Sequence, residues 1–92
     1  MKVKIRFFAR FRELLGTEVT DEPASGTVVA GLIREVATRN MEGYNAIFDE
    51  HGKFREFVII MRNGKRLEPA DTEKTVVGDG DDIAVFPPVA GG

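Results

Sequence analysis

Hydrophobic and polar residues alternate in the first stretch of the chain, from Lys2 to Phe8. Strict alternation over this length is typical of a half-buried β-strand, because successive side chains point to opposite faces. We therefore predict a strand whose inward face carries Val3, Ile5 and Phe7. The outward face is basic, apart from the aromatic ring of Phe8, and we interpret it as a solvated sheet edge.

The clearest helix follows a short helical turn at 9–16, a second strand at 17–21 and a loop. Its apolar residues recur at the spacing i, i+3, i+4, i+7, i+8, which lines one face of a helix. They are Val29, Leu32, Ile33, Val36 and Ala37. We predict that Thr27 is the N-cap of this helix and that Asn40 ends it, with the apolar face packed on a sheet.

The second half of the chain predicts three more strands. The apolar run from Phe57 to Met61 favours a central strand buried on both faces. Asn63-Gly64 is a strong hairpin signal, and the return strand starts at Lys65. The last strand is predicted at Ile83 to Phe86. One short helical turn is expected between residues 41 and 56, and another between residues 68 and 78.

This order of elements is hairpin, helix, strand, hairpin and final strand. One helix against a mixed sheet of four or five strands is the simplest layering that buries every apolar stripe. We therefore predict an α+β protein with a β-grasp, or ubiquitin-like, fold. The predicted domain covers residues 1–86, and residues 87–92 form an extended tail.

The tail reads Phe86-Pro87-Pro88-Val89-Ala90-Gly91-Gly92. Proline fixes φ and pushes the preceding residue towards extended backbone, so the tail should leave the domain as a stiff arm. Four more residues add a reach of roughly 13 Å, and glycine can thread a channel too narrow for other residues. The Gly92 carboxylate is ionised at neutral pH and is a poor electrophile until it is activated. The tail therefore suggests a substrate, and the plain alternative is a frayed terminus.

Composition excludes several classes of function. The 92 residues include one His and no Cys, and the net charge is −2. Because cysteine is absent, disulfides, thiolate metal sites and a cysteine nucleophile are excluded. The charge balance does not favour nucleic acid or an anionic membrane as a partner. Neither a signal-peptide core nor a membrane-length apolar run of roughly 18 residues is present, and we expect a cytoplasmic protein.

The remaining chemical candidates are weak. His51 lies beside Glu50 in a predicted turn, where a surface residue is the expected interpretation. The segment Asp79-Gly80-Asp81-Asp82 lacks the ligand spacing of an EF-hand loop, so no metal site is predicted. No Ser-His-Asp set can be assembled around the single serine, Ser25. We expect no catalytic residues, no bound cofactor and no enzyme activity of its own.

Both ends of the chain resemble one family. Val3-Lys4-Ile5-Arg6-Phe7-Phe8-Ala9, followed by Arg12-Glu13-Leu14-Leu15-Gly16, is similar to the start of the molybdopterin synthase small subunits. The segment from Gly80 to Gly92 resembles the end of the same family. Met61-Arg62-Asn63-Gly64 and the Phe-Pro-Pro tail together resemble the small archaeal ubiquitin-like modifiers. The thiamine sulfur carriers share the fold and the Gly-Gly end but lack Phe-Pro-Pro.

This resemblance implies a two-step chemistry on Gly92. An E1-like adenylating enzyme would use ATP to adenylate the carboxylate. The product would then become a thiocarboxylate for molybdopterin synthesis or tRNA thiolation, or an isopeptide with target-protein lysines. The implied partners are that enzyme and either the molybdopterin synthase large subunit or the lysine targets, with a monomer expected when free.

The resemblance also implies a partner interface. Aromatic residues that match Phe8 and Phe86 contact these partners in the molybdopterin subunits. A third apolar contact of that family falls near Arg66, which is basic here. From the strand pattern alone, both rings are expected on the solvent side, with Phe86 largely exposed. The alternative function is a β-grasp binding module whose tail is never activated.

Overall fold

The computed structural model describes residues 1–88 of the chain. These residues form a five-stranded sheet and four helices. In chain order the elements are β1 (Val3–Phe7), α1 (Arg10–Leu15), β2 (Glu18–Asp21), α2 (Val29–Ala37), α3 (Met41–Ile47), β3 (Ile59–Arg62), β4 (Lys65–Leu67), α4 (Pro69–Thr72) and β5 (Asp82–Phe86).

The strands lie in the order β2-β1-β5-β3-β4. β1 and β5 run parallel, and the other neighbouring pairs are antiparallel. The sheet is therefore mixed, as predicted, and the β-grasp fold class is confirmed. β1 lies between two strands, so its basic residues Lys4 and Arg6 do not form the sheet edge that we predicted; β2 and β4 are the edges.

The core lies between α2 and one face of the sheet. All five residues of the predicted helical stripe are buried, and so are the inward residues of β1. Ile60 of β3 and Ile83 and Val85 of β5 complete the same layer. The alternation of β1 and the periodicity of α2 thus predicted the two surfaces that face each other, because each pattern marks one buried side.

The prediction for Phe57 to Met61 was wrong in two respects. The strand begins at Ile59, and Phe57 lies before it with a φ of 67° and an exposed fraction of 71%. The strand is second from the edge, whereas the central strand is β5. Ile60 faces the core, while Ile59 and Met61 face the opposite side of the sheet, so the run is apolar on two different surfaces.

The predicted ends of α2 were also wrong. The helix begins at Val29, whose N–H donates to the carbonyl of Thr75 at 2.8 Å, and the hydroxyl of Thr27 donates to Ala24 instead. α2 ends at Ala37. Asn40 caps the next helix, because its side-chain oxygen accepts from the N–H groups of residues 42 and 43.

Candidate functional site

A groove of about 830 Å³ lies at the end of the sheet where the chain leaves the domain. It lies on the side that α2 does not cover. It is lined almost entirely by apolar side chains, and the exceptions are two arginines. The lining residues are Phe8, Ala9, Arg10, Phe11, Ala46, Arg55, Ile59, Met61, Phe86, Pro87 and Pro88.

The rings of Phe8 and Phe86 stack in this groove. Phe7 pairs with Val85 in the parallel strands β1 and β5. The residues that follow them, Phe8 and Phe86, therefore lie side by side on the face of the sheet opposite the core. The ring centroids are 4.2 Å apart, and the ring planes differ by 11°. Each residue is half-buried, which corrects the expectation that Phe86 is largely exposed: the two rings cover each other.

Arg6 supports this pair of rings. Its guanidinium carbon lies 5.6 Å from the centre of the Phe8 ring, a distance at which a cation is attracted to an aromatic face. Its Nε donates to the carboxylate of Asp82 at 2.9 Å. The ion pair with Asp82 thereby holds Arg6 over the ring of Phe8, which also stacks on Phe86.

The floor of the groove comes from β3. Ile59 pairs with Phe86, and Met61 pairs with Ala84, so these side chains share the outer face of the sheet. Ala84 is buried although it lies on this face. The floor is therefore a continuous apolar surface, and it is the second face of the run that the sequence analysis assigned to a doubly buried strand.

The rim of the groove comes from α1, α3 and the loop before β3. Ala9 has a positive φ of 52°, which turns the chain sharply from β1 into α1 and brings Arg10 to the groove. Ala46 contributes from α3. Arg55 follows in the loop, where its Nε donates to the carbonyl of Asn45 at 2.6 Å.

Arg66 lies on the same face of the sheet but does not line the groove. It is exposed on the edge strand β4 and pairs with Met61, which does line it. The position of the third contact expected from the family resemblance is thus adjacent to the groove floor and carries a positive charge.

A buried carboxylate fixes β5, the strand that leads to the tail. Asp81 is 6% exposed and accepts hydrogen bonds from Arg62 Nε at 2.9 Å, Asn63 Nδ2 at 2.9 Å and Gly78 N at 2.7 Å. Burial raises the pKa of Asp81, but these hydrogen bonds and the Arg62 charge outweigh it and leave the pKa below its ordinary value. Asp81 therefore acts as an anchor between β5 and the β3–β4 hairpin.

The other polar candidates do not belong to the groove. The side chain of His51 is 74% exposed and lies 3.6 Å from Glu50, beside a separate cavity. Within residues 1–88, no three or more His, Cys, Asp or Glu side chains come together in a way that could hold a metal ion. Over the same part of the chain, none of the helices has both the length and the apolar character needed to cross a membrane.

The predicted tail is described only in part. Pro87 and Pro88 line the groove, and Pro88 is exposed. Val89, Ala90, Gly91 and Gly92 lie outside the described residues. The division into a domain of residues 1–86 and a tail of residues 87–92 therefore stays a prediction.

Sequence reasoning found Phe8, Phe86 and the two prolines but missed the rest of the groove. Ile59 and Met61 could have been recognised from the unbroken apolar run, which requires an apolar surface on the second face of the strand. No sequence signal links Arg10 with Arg55, because they belong to different elements that meet only in the folded chain.

Comparison with known proteins identifies the family. The sequence profile of the ThiS family matches residues 5–92. Small archaeal modifier protein 3 of Haloferax volcanii is 35% identical over 97 residues, covering 100% of both chains. The molybdopterin synthase sulfur carrier subunit of Escherichia coli is 31% identical over 96 residues, covering 98% of this chain and 99% of that one.

Structural comparison supports the fold independently. The crystal structure of SAMP1 from Haloferax volcanii matches with a TM-score of 0.85 at 22% identity and covers 100% of both chains. At that identity the match shows the fold alone. The family profile and the two relatives show that the chain belongs to the ThiS family of ubiquitin-like sulfur carrier and modifier proteins.

Proposed function

We propose that this protein is a ubiquitin-like sulfur carrier and modifier whose Gly92 carboxylate is adenylated by an E1-like enzyme. The observation that carries the proposal is the position of the Gly-Gly end in the sequence, shortly after two prolines that line the groove. Gly91 and Gly92 follow Pro87 and Pro88, and both prolines line the apolar groove. Family membership supports the same chemistry, since the named relatives are a modifier protein and a sulfur carrier subunit.

The chemistry explains why a second protein is needed. A carboxylate oxygen of Gly92 attacks the α-phosphorus of ATP, forming an acyl-adenylate and releasing pyrophosphate. The acyl carbon is then open to a nucleophile, and AMP leaves when it is attacked. Hydrosulfide as the nucleophile yields the thiocarboxylate and a proton, whereas a lysine amine yields an isopeptide and a proton. ATP is bound by the activating enzyme in this scheme.

The folded part supplies recognition in this proposal. The partner, either the E1-like enzyme or the protein that accepts the activated group, docks on the groove around Phe8 and Phe86. The prolines then direct the Gly-Gly end towards the partner's active site. Arg66 lies beside the docked partner instead of under it, because it is adjacent to the floor and outside the groove.

The mass of the protein purified from its own host tests the fate of Gly92. A sulfur carrier shows the mass gain of one oxygen replaced by sulfur, located at Gly92 by fragmentation. A modifier shows branched peptides in which Gly92 is joined to a lysine amine of another protein. If neither product forms while the adenylating enzyme is present, the alternative of a non-activated binding module is favoured.

A further inference from the structure

The groove combines an apolar floor with a positively charged rim. Arg10 and Arg55 are the charged residues that line it, and no Asp or Glu among residues 1–88 does so. Both arginines are exposed. Arg55 is held by its hydrogen bond to Asn45, and Arg10 is placed by the first turn of α1.

These two charges differ from the two cations of β1 on the outer face of the sheet. Arg6 is paired with Asp82 at 2.9 Å, and Lys4 lies 3.9 Å from Glu18. Among the described residues, neither Arg10 nor Arg55 forms an ion pair. The chain as a whole has a net charge of −2. The groove is therefore a local positive site on a protein that otherwise repels anions weakly.

We propose that the groove binds a protein segment in which an apolar side chain is flanked by Asp or Glu. This inference rests on the proposed function in one respect, because the partner that carries the segment is the one that handles Gly92. The apolar side chain packs on Ile59, Met61 and Phe86, where it removes apolar surface from water. The flanking carboxylates accept hydrogen bonds from Arg10 and Arg55, since a guanidinium matches a carboxylate in charge and geometry.

The two parts of this surface have different effects. A buried apolar anchor provides most of the binding energy at such interfaces. Exposed ion pairs at the rim contribute to the association rate and to the choice of partner, and salt weakens their effect. A segment with the same apolar centre but basic flanks is therefore rejected by the arginines, although it can fill the floor equally well.

The inference is tested by adding each of two synthetic peptides to the full chain labelled with nitrogen-15 and recording its amide chemical shifts. Asp-Glu-Leu-Phe-Glu-Asp and Lys-Lys-Leu-Phe-Lys-Lys share the apolar centre and have opposite flanks. We expect the acidic peptide to bind about tenfold more tightly at low salt, and the amide shifts to change at Phe8, Ile59 and Phe86. The preference should shrink towards unity in 0.5 M salt.

Three variants identify the residues that set the preference. Arg10→Glu with Arg55→Glu should abolish or reverse it. Arg10→Glu alone should reduce it without removing the Asn45 hydrogen bond. Lys74→Glu is the control, since Lys74 is exposed and does not line the groove, and it should keep the wild-type preference. Amide spectra report whether each variant is folded.

The possible outcomes separate this inference from the proposed function. Equal binding of the two peptides, stronger binding of the basic peptide, or shifts that lie away from the groove would each overturn the inference. Adenylation of Gly92 is measured separately by pyrophosphate release. If the wild-type chain prefers the acidic peptide but its Gly92 is not adenylated, the proposed function is contradicted and the selectivity of the groove is still supported.

Discussion

The stacked rings of Phe8 and Phe86 are expected to stabilise the domain as a pair. Replacing a fully buried Phe by Ala costs about 3–5 kcal/mol, and each of these half-buried rings should cost about half of that, or ~1.5–2.5 kcal/mol. A stacked pair with centroids 4.2 Å apart contributes about 0.5–1.5 kcal/mol beyond burial. Phe8→Ala and Phe86→Ala should each lose this coupling, and the double variant should lose it only once.

Urea unfolding of the wild type, both single variants and the double variant measures the coupling as a double-mutant cycle. The double variant should be more stable than the sum of the two single losses predicts, by about 0.5–1.5 kcal/mol. The control cycle combines Phe8→Ala with Phe54→Ala, since Phe54 packs on Phe48 and lines a different cavity. That cycle should be additive within about 0.5 kcal/mol. Equal coupling in the two cycles would refute the role of the stack.

Two further predictions concern the framework that holds the groove. Gly43→Ala should destabilise the protein by about 1–2 kcal/mol, because the added Cβ would lie 2.6 Å from Leu15 Cγ, and overpacking costs more than the gain in helix propensity. Gly31→Ala is the matched control in α2, where Val28 Cγ2 lies at 3.6 Å, and thermal unfolding should show equal or higher stability. If the two substitutions had the same effect, the close contact with Leu15 would not be the cause. Asp81→Asn should lower the free energy of unfolding by about 1–3 kcal/mol at pH 7. Urea unfolding of both proteins at a series of pH values measures this difference. The folded-state pKa of Asp81 is lowered from 3.8, so its stabilising contribution is present above that pH and is lost as the pH falls through the lowered pKa. An equally steep loss of stability in the Asn variant below pH 3.8 would show that other groups cause it.

The sequence pattern correctly predicted the buried faces of β1 and α2 and the turn between β3 and β4. The alternation in β1 and the stripe of α2 each mark a buried face, and both faces lie in the core. Asn63-Gly64 forms the predicted hairpin turn, with φ values of 51° and 81°. Such signals depend on a few neighbouring residues, so the structure they predict does not require knowledge of long-range contacts.

The errors arise where distant parts of the chain decide the structure. Thr27 has the right side chain for an N-cap, but the carbonyl of Thr75 accepts the N–H of Val29, and no local rule predicts that contact. Asn40 fits either the end of one helix or the start of the next, and its hydrogen bond to Leu14 accompanies the second role. Strand order is likewise a long-range property, which is why Phe57 to Met61 was placed at the centre of the sheet.

The parts of the candidate site that lie on or next to the last strand could be predicted from the sequence. Phe86 and the prolines follow directly from the sequence, and the parallel pairing of β1 with β5 places Phe8 beside Phe86. The charged rim was not predictable, because Arg10 and Arg55 come together only when α1 and the loop before β3 meet at the groove.

We propose that other proteins perform the chemistry on the Gly92 carbonyl carbon. The most direct test incubates the chain with the E1-like enzyme of its host and ATP, and measures pyrophosphate release and the mass of the adenylate. We expect adenylate on Gly92 of the wild type and none on a chain that lacks Gly92 or carries one alanine after it. Both variants should unfold at the wild-type temperature. Adenylation of the extended chain at the wild-type rate would contradict the account.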